Sequence, residues 1–130
     1  MSVTANKELV REFYAQAING RDASACERLL APDFIHNGEH RGADGQRQAV
    51  ETFLSAFSPM DHEITILFAE GDLVCAHQRW SGRHVGDYQS HPATDREVSF
   101  NSTTILAVRD GQITEAWDEV DVARLLAQLS

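Results

Sequence analysis

Cysteine and positive charge are both scarce in this chain of 130 residues. Its two cysteines, Cys26 and Cys75, are too few for a disulfide framework, and their apolar neighbours predict free, buried thiols. Only 11 Lys and Arg residues stand against 20 Asp and Glu residues, which gives a formal net charge of −9. Such an acidic chain gains no electrostatic attraction to nucleic acid or to an anionic membrane surface, so neither is expected as a partner.

Long apolar runs and the common catalytic motifs are absent as well. No run approaches the ~18 apolar residues of a membrane span, and the first six residues lack the apolar core of a secretion signal. We therefore expect a cytoplasmic protein. The sequence has no phosphate-binding loop, GxSxG, HExxH or dinucleotide fingerprint. Its six histidines do not fall at metal-ligand spacings, so no metal site is predicted.

The composition that is present belongs to a globular protein. Apolar residues make up 42% of the chain and charged residues 24%, which argues against global disorder. The length predicts a single domain over residues 1–130.

The first half of the sequence has a helical period. Apolar residues recur on one stripe in three segments, which predict helices over residues 6–19, 22–30 and 46–57. Asn6 and Asp22 are the expected N-caps of the first two helices. Pro32 and Pro59 are expected to end the second and third.

The second half alternates apolar and polar residues, which predicts strands. Together with a short strand near the second helix, they are expected over residues 34–36, 64–68, 73–81, 98–108 and 113–117. Asp110-Gly111 is the clearest hairpin turn. A last helix is predicted over residues 122–129. This order predicts an α+β fold, in which three N-terminal helices wrap a curved antiparallel sheet, a C-terminal helix follows, and a pocket lies between the layers.

Asp118 is the first candidate for chemistry. Strand alternation places it on the same face as Thr114 and Ala116, whose small side chains suit a cavity wall. A partly desolvated carboxylate there is a good general base. The alternative is that Asp118 or Asp121 caps the last helix, and Asp121 fits that position better.

Further candidates are polar or aromatic residues among apolar neighbours. The hairpin makes Thr104 a neighbour of Asp118, although strand propensity alone also explains a threonine there. His36 is a candidate acid or base, or else a structural histidine. His40 and His62 are expected to be exposed. The candidate substrate-binding residues are Tyr14, Phe53, Trp80, Asn101 and Thr104.

Several motifs in this order resemble a known family. They include Phe34-Ile35-His36-Asn37, Gly82-Arg83-His84-Val85-Gly86, Arg109-Asp110-Gly111-Gln112-Ile113 and Glu115-Ala116-Trp117-Asp118. The chain resembles the SnoaL-like polyketide cyclases, within the nuclear-transport-factor-like and ketosteroid-isomerase-like superfamily. The resemblance implies a cone-shaped α+β barrel and an active site without cofactor or metal. It also implies an intramolecular aldol reaction that closes a ring of an aromatic polyketide.

The resemblance also implies roles for individual residues. The family's catalytic aspartate falls on Asp118, whereas its histidine on the preceding strand falls on Thr104, which is a poor general acid. His36, at a position that lines the pocket in the family, is the expected substitute. The function predicted is therefore a cofactor-free cyclase or isomerase that acts on a carbonyl-activated C–H bond of a hydrophobic small molecule.

Three other functions remain open at this stage. A ketosteroid-isomerase-like proton shuttle would use Tyr14, but its base would lie at His36-Asn37, and neither of these residues is a carboxylate. An epoxide-opening enzyme would pair Asp118 with Arg79. A non-catalytic binding or dimerisation module is favoured by the threonine at position 104. Because the strands carry apolar residues on both faces, a homo-oligomer, dimer or tetramer, joined through the sheet is also expected.

Overall fold

The computed structural model describes residues 2–130, which form four α-helices and six strands. The helices are α1 (Val3–Tyr14), α2 (Ala25–Leu29), α3 (Gly42–Ala56) and α4 (Val122–Leu129), and a π-helical turn, Ala15–Asn19, extends α1. The strands are β1 (Leu30–His36), β2 (Glu39–His40), β3 (Phe57–Glu70), β4 (Leu73–His84), β5 (Glu97–Arg109) and β6 (Gln112–Val120).

All six strands belong to one curved, open sheet with the order β2-β1-β6-β5-β4-β3. Neighbouring strands are antiparallel, as expected, except that β1 runs parallel to β6. The first three helices lie over one face of the sheet, where α3 packs on β1 and α1 packs on β3 and β4. The α+β fold predicted from the sequence is confirmed.

Strand β5 shows how the sequence separates the two faces of the sheet. Val98, Phe100 and Leu106 are buried in the core, and so are Ser102 and Thr104, which follow the same period of two. The residues between them are exposed or half-buried. Burying an apolar side chain of this size contributes about 1.5–3 kcal/mol. Two polar residues on a buried face therefore need hydrogen-bond partners inside the fold.

The expected N-caps of the first two helices are wrong. Helix α1 begins at Val3 because the Ser2 hydroxyl accepts a hydrogen bond from the backbone N–H of Ala5 at 3.0 Å, and Asn6 is fully buried instead. The carboxylate of Asp22 accepts from the N–H of Ser24 at 3.1 Å, which closes a turn ahead of α2.

The expected roles of two prolines are also wrong. Pro32 lies inside β1 and Pro59 inside β3, next to a register shift between Phe57 and Met60. Strands tolerate proline at such irregularities, because no ladder hydrogen bond is required there. Helix α3 ends at Ala56, and β3 follows directly, seven residues before the alternation recognised in the sequence.

A bulge in β6 changes the face assigned to one residue. The pairing passes from Ala107–Glu115 to Val108–Ile113, so Thr114 is an extra residue. Its hydroxyl donates to the carbonyl oxygen of Ala107 at 3.3 Å. Contrary to the prediction, Thr114 does not share the cavity face with Asp118. Ile113 takes that place.

The state of the cysteines and the character of the helices can be compared with the sequence predictions. Both cysteines are free, with Cys26 buried as predicted and Cys75 only half-buried. Within residues 2–130, none of the helices combines the length and the apolar character needed to cross a membrane.

Candidate active site

A cavity of about 1120 Å³ opens between the helices and the inner face of the sheet. Its apolar wall includes Phe34, Phe53, Trp80, Phe100, Leu106 and Ile113. Exposed polar residues surround its mouth, among them Glu39, His40, Asp87, Gln89 and Glu119. An apolar cavity with few polar groups inside is typical of a site for a small organic molecule.

Stacked aromatic rings form one wall of this cavity. The rings of Trp80 and Phe100 are parallel within 3°, with centroids 5.9 Å apart, and Phe53 meets Trp80 edge-on at 5.5 Å. The indole N–H of Trp80 donates to the hydroxyl of Ser102 at 2.9 Å, which satisfies the only donor of the ring. The structure thus places the predicted residues Phe53 and Trp80 in an aromatic wall of the cavity.

Asp118 projects into the same cavity, and its side chain is 26% exposed. Its Oδ1 accepts a hydrogen bond from the Thr104 hydroxyl at 2.8 Å, and its Oδ2 lies 3.7 Å from Nε2 of His36. The structure therefore brings all three predicted residues together. Asp118 does not cap α4, since Asp121 accepts from the N–H of Arg124 at 3.1 Å.

Asn37 fixes the backbone of Asp118, a role that sequence reasoning missed. Its Oδ1 accepts from the N–H of Asp118 at 2.7 Å, and its Nδ2 donates to the Asp118 carbonyl oxygen at 3.2 Å. The residue has a left-handed backbone (φ 48°), which asparagine tolerates better than most residues. An Asn-Gly pair directly after a strand was the available signal. This clamp holds His36, at the end of β1, beside Asp118.

A buried chain of side chains continues behind Thr104. The Thr104 hydroxyl accepts from Nε2 of Gln78 at 2.8 Å, and Oε1 of Gln78 lies 2.6 Å from Nε2 of His62. His62 was expected to be exposed, which is wrong, because β3 begins at Phe57 and its inward positions include His62. Gln78 was also missed, although it lies at an inward position between Ala76 and Trp80.

Tyr14 lies in the cavity wall, as predicted, with its ring stacked on that of His62 at a centroid distance of 4.6 Å. Burial raises the pKa of Tyr14 above its ordinary value, and the charge of Asp118 raises it further. Hydrogen bonding by Thr104 and Gln78 lowers the pKa but does not outweigh those effects. The phenol is therefore neutral near pH 7 and is available as a hydrogen-bond donor.

Two other residues considered in the sequence lie outside the cavity. Asn101 is exposed on the outer face of the sheet, because it alternates with the inward-facing Ser102. Contrary to the prediction, it does not line the cavity. Arg79 is also on the outer face, 2.7 Å from Glu63. Within the described residues 2–130, no three His, Cys, Asp or Glu side chains converge to hold a metal ion.

The buried imidazole of His62 predicts how stability depends on pH. Burial lowers the pKa of His62 below its ordinary value of 6.5, and the hydrogen bond to Gln78 offsets part of that shift. The unfolded chain therefore takes up a proton at this residue before the folded protein does. Since the state that binds more protons is favoured by acid, the free energy of unfolding falls as the pH drops through about 6.5.

Urea titrations at about pH 7.5 and 5.5 measure this effect. We expect the free energy of unfolding to fall more between these pH values in the wild-type protein than in His62→Phe, which has no group to titrate at this position. Equal losses in the two proteins would show that His62 does not contribute to the acid sensitivity.

Known proteins with similar sequences are polyketide cyclases by description. A family model described as SnoaL-like polyketide cyclase matches residues 8–129. The curated aklanonic acid methyl ester cyclase DnrD of Streptomyces peucetius is 35% identical over 128 residues, which cover 94% of this chain and 88% of that protein.

Solved structures share the fold over almost their whole length. TsrD from Streptomyces laurentii superposes with a TM-score of 0.92 at 29% identity, and the match covers 100% of this chain and 98% of that one. A SnoaL-like polyketide cyclase from Agrobacterium tumefaciens superposes with a TM-score of 0.84 over 100% of both chains. At 15% identity, this second likeness shows the fold alone.

Proposed function

Because the chain belongs to the SnoaL-like polyketide cyclase family, we propose that it closes a ring of a polyketide-like molecule by an intramolecular aldol reaction, with Asp118 as the general base. One observation carries the proposal. A carboxylate with one oxygen held by Thr104 presents its other oxygen to an aromatic cavity, next to an imidazole. Family membership and the 35% identical DnrD support polyketide cyclase activity.

The cavity favours a hydrophobic, polycyclic substrate. Its volume of about 1120 Å³ lies slightly above the range of roughly 300–1,000 Å³ that is common for small-molecule sites. The stacked pair of Trp80 and Phe100, with Phe53 edge-on, offers flat surfaces to planar rings. DnrD is named as a cyclase of aklanonic acid methyl ester, and this ester is the probe substrate for the experiments below.

The proposed reaction needs no co-reactant. Oδ2 of Asp118 takes a proton from a carbon flanked by carbonyl groups, and the C–H electron pair becomes an enolate. The enolate carbon attacks the receiving ketone in the same molecule, so that a C–C bond forms and the ketone oxygen becomes an alkoxide. The alkoxide then takes the proton back from Asp118. The product is an isomer of the substrate.

Hydrogen-bond donors in the cavity stabilise the negative oxygens that form along this path. Thr104 was predicted to bind the substrate, but its hydroxyl proton is already engaged by Oδ1 of Asp118. We therefore propose that Thr104 holds the base, and that His36 and Tyr14 donate hydrogen bonds to the developing oxyanion. Holding the two reacting carbons together in the cavity supplies a further part of the rate enhancement.

The direct test is to incubate the wild-type protein with aklanonic acid methyl ester and separate the products by chromatography with mass detection. We expect a new compound of unchanged mass that carries the additional ring. Binding without any product, with affinity measured by calorimetry, would reject the cyclase and favour the non-catalytic binding module. Arg79, the partner considered for epoxide opening, pairs with Glu63 on the outer face of the sheet, which argues against that reaction.

We also propose that the chain forms a homodimer through the outer face of the sheet. Phe68, Cys75, Ile105 and Trp117 are register partners in one row across β3, β4, β5 and β6. Phe68 is 59% exposed, and Ile105 and Trp117 are each 41% exposed. A contiguous apolar row on a sheet face is typical of a surface that another chain covers, and a second copy presents a matching row.

Light scattering at micromolar concentration is expected to give twice the monomer mass for the wild-type protein and the monomer mass for Trp117→Glu. Val85→Glu is the matched control, because Val85 is also 41% exposed but lies outside the row. It should remain dimeric. A monomeric wild-type protein would contradict the proposal.

A further inference from the structure

We infer that His62 and Gln78 are positioning residues, which set the direction of a buried hydrogen-bond chain that holds Oδ1 of Asp118 and leaves Oδ2 as the reacting oxygen. The inference deepens the proposed function and rests on it. His62 and Gln78 do not line the cavity. Their hydrogen bonds lead to the substrate through Thr104 and Asp118.

The chemistry of each group fixes the direction of the chain. Nε2 of Gln78 is a donor only, and it donates to the Thr104 hydroxyl at 2.8 Å, with the Ala76 carbonyl oxygen at 3.4 Å. Oε1 of Gln78 can only accept, so Nε2 of His62 must carry the ring proton of that 2.6 Å hydrogen bond. The single proton of Thr104 is then directed to Oδ1 of Asp118. From His62 through Gln78 and Thr104, each residue therefore donates its hydrogen bond in the direction of the Asp118 carboxylate.

This direction decides which oxygen of Asp118 carries the abstracted proton. A proton on Oδ1 would meet the hydroxyl proton of Thr104, which would then have to turn away and lose its carboxylate acceptor. A proton on Oδ2 disturbs none of these hydrogen bonds. The chain therefore keeps the exchanging proton on the oxygen that faces the cavity and His36.

All three side chains behind Asp118 are buried. Gln78 is fully buried, Thr104 is 2% exposed and His62 is 8% exposed, so solvent does not compete for their hydrogen bonds. The His62 ring is held between Tyr14, at a centroid distance of 4.6 Å, and Trp80, at 4.4 Å. Burial also lowers the pKa of His62, which keeps its imidazole neutral and able to donate from one nitrogen only.

Two substitutions of His62 separate positioning from packing. His62→Phe keeps a ring between Tyr14 and Trp80 but removes the donor, whereas His62→Gln retains an N–H that can reach the Gln78 amide oxygen. With the probe ester, we expect kcat of His62→Phe to fall on the order of 10-fold, as found for outer partners that orient metal ligands. KM should not change, because His62 does not contact the substrate. His62→Gln should restore most of kcat.

A second readout requires no substrate. The Thr104 hydroxyl proton, buried between Gln78 and Asp118, should give a slowly exchanging proton resonance that we expect to shift or disappear in His62→Phe and to remain in His62→Gln. His84→Phe is the matched control, because His84 is also buried but its hydrogen bonds are to Thr94. It should leave both kcat and the Thr104 resonance unchanged.

The outcomes distinguish this inference from the proposed function. Wild-type kcat and an unchanged Thr104 resonance in His62→Phe would overturn the inference. Equal losses in His62→Phe and His62→Gln would also overturn it, because packing alone would then explain the role of His62. If the wild-type protein does not convert the probe ester but the Thr104 resonance responds as expected, the proposed function is wrong and the inferred direction of the hydrogen bonds is supported.

Discussion

Replacing Asp118 by asparagine is expected to lower kcat for ring closure by roughly 10³-fold, within the range that a positioned general base contributes. The amide has the size of the carboxylate, and its oxygen can still accept the 2.8 Å hydrogen bond from Thr104. The amide nitrogen then replaces Oδ2, where the substrate proton must be received, and it has no free pair to accept that proton. Steady-state kinetics with the probe ester measures the loss.

The control for this variant is Asp121→Asn, which changes the neighbouring aspartate in the same way. Asp121 caps α4, and asparagine is also a good N-cap, so both stability and turnover should be retained. Calorimetry should show that Asp118→Asn still binds the substrate, because the apolar cavity is unchanged. If Asp118→Asn turned over like the wild-type protein, Asp118 could not be the base.

Replacing Trp80 by alanine is expected to lower the free energy of unfolding by about 3–5 kcal/mol, the usual cost of removing a large buried aromatic side chain. Trp80 is only 9% exposed and contacts four aromatic rings, those of Phe53, Phe100, Tyr14 and His62. Its loss leaves a void at the centre of the cavity wall. Urea denaturation measures the stability, and we expect KM for the probe ester to rise as well.

Trp80→Phe separates the ring from its polar group. A phenyl ring retains the stacking on Phe100 but loses the 2.9 Å hydrogen bond to Ser102, so a smaller loss of about 0.5–1.5 kcal/mol is expected. A loss below about 1 kcal/mol for Trp80→Ala would contradict the central packing role of this residue, since alanine there should leave a cavity.

The sheet was largely predictable from the sequence because its signals are local. The hairpin at Asp110-Gly111 joins β5 to β6, and alternation in β5 correctly places Thr104 on the inner face, opposite Asp118. The cap of α4 at Asp121 was likewise recognisable, because the side chain and its backbone partner lie three residues apart.

The complete site was less predictable because it depends on contacts distant in sequence. His36 lies beside Asp118 only because β1 runs parallel to β6, a pairing with no local signal. His62 was assigned to the surface because it precedes the alternation recognised from Ile64, whereas β3 already begins at Phe57. Gln78 acquires its role from both partners, which come from β3 and β5. Such roles follow from the packing and not from the spacing of residues.

The central claim is that Asp118 removes a proton from carbon. It is tested most directly with an analogue of the probe ester whose receiving ketone is reduced to an alcohol, so that ring closure cannot follow. In D₂O, the wild-type protein is expected to introduce deuterium at the carbon flanked by carbonyl groups faster than buffer does. The Asp118→Asn variant is expected to introduce it no faster than buffer. Exchange at the buffer rate with the wild-type protein, or equal exchange in both proteins, would contradict the claim.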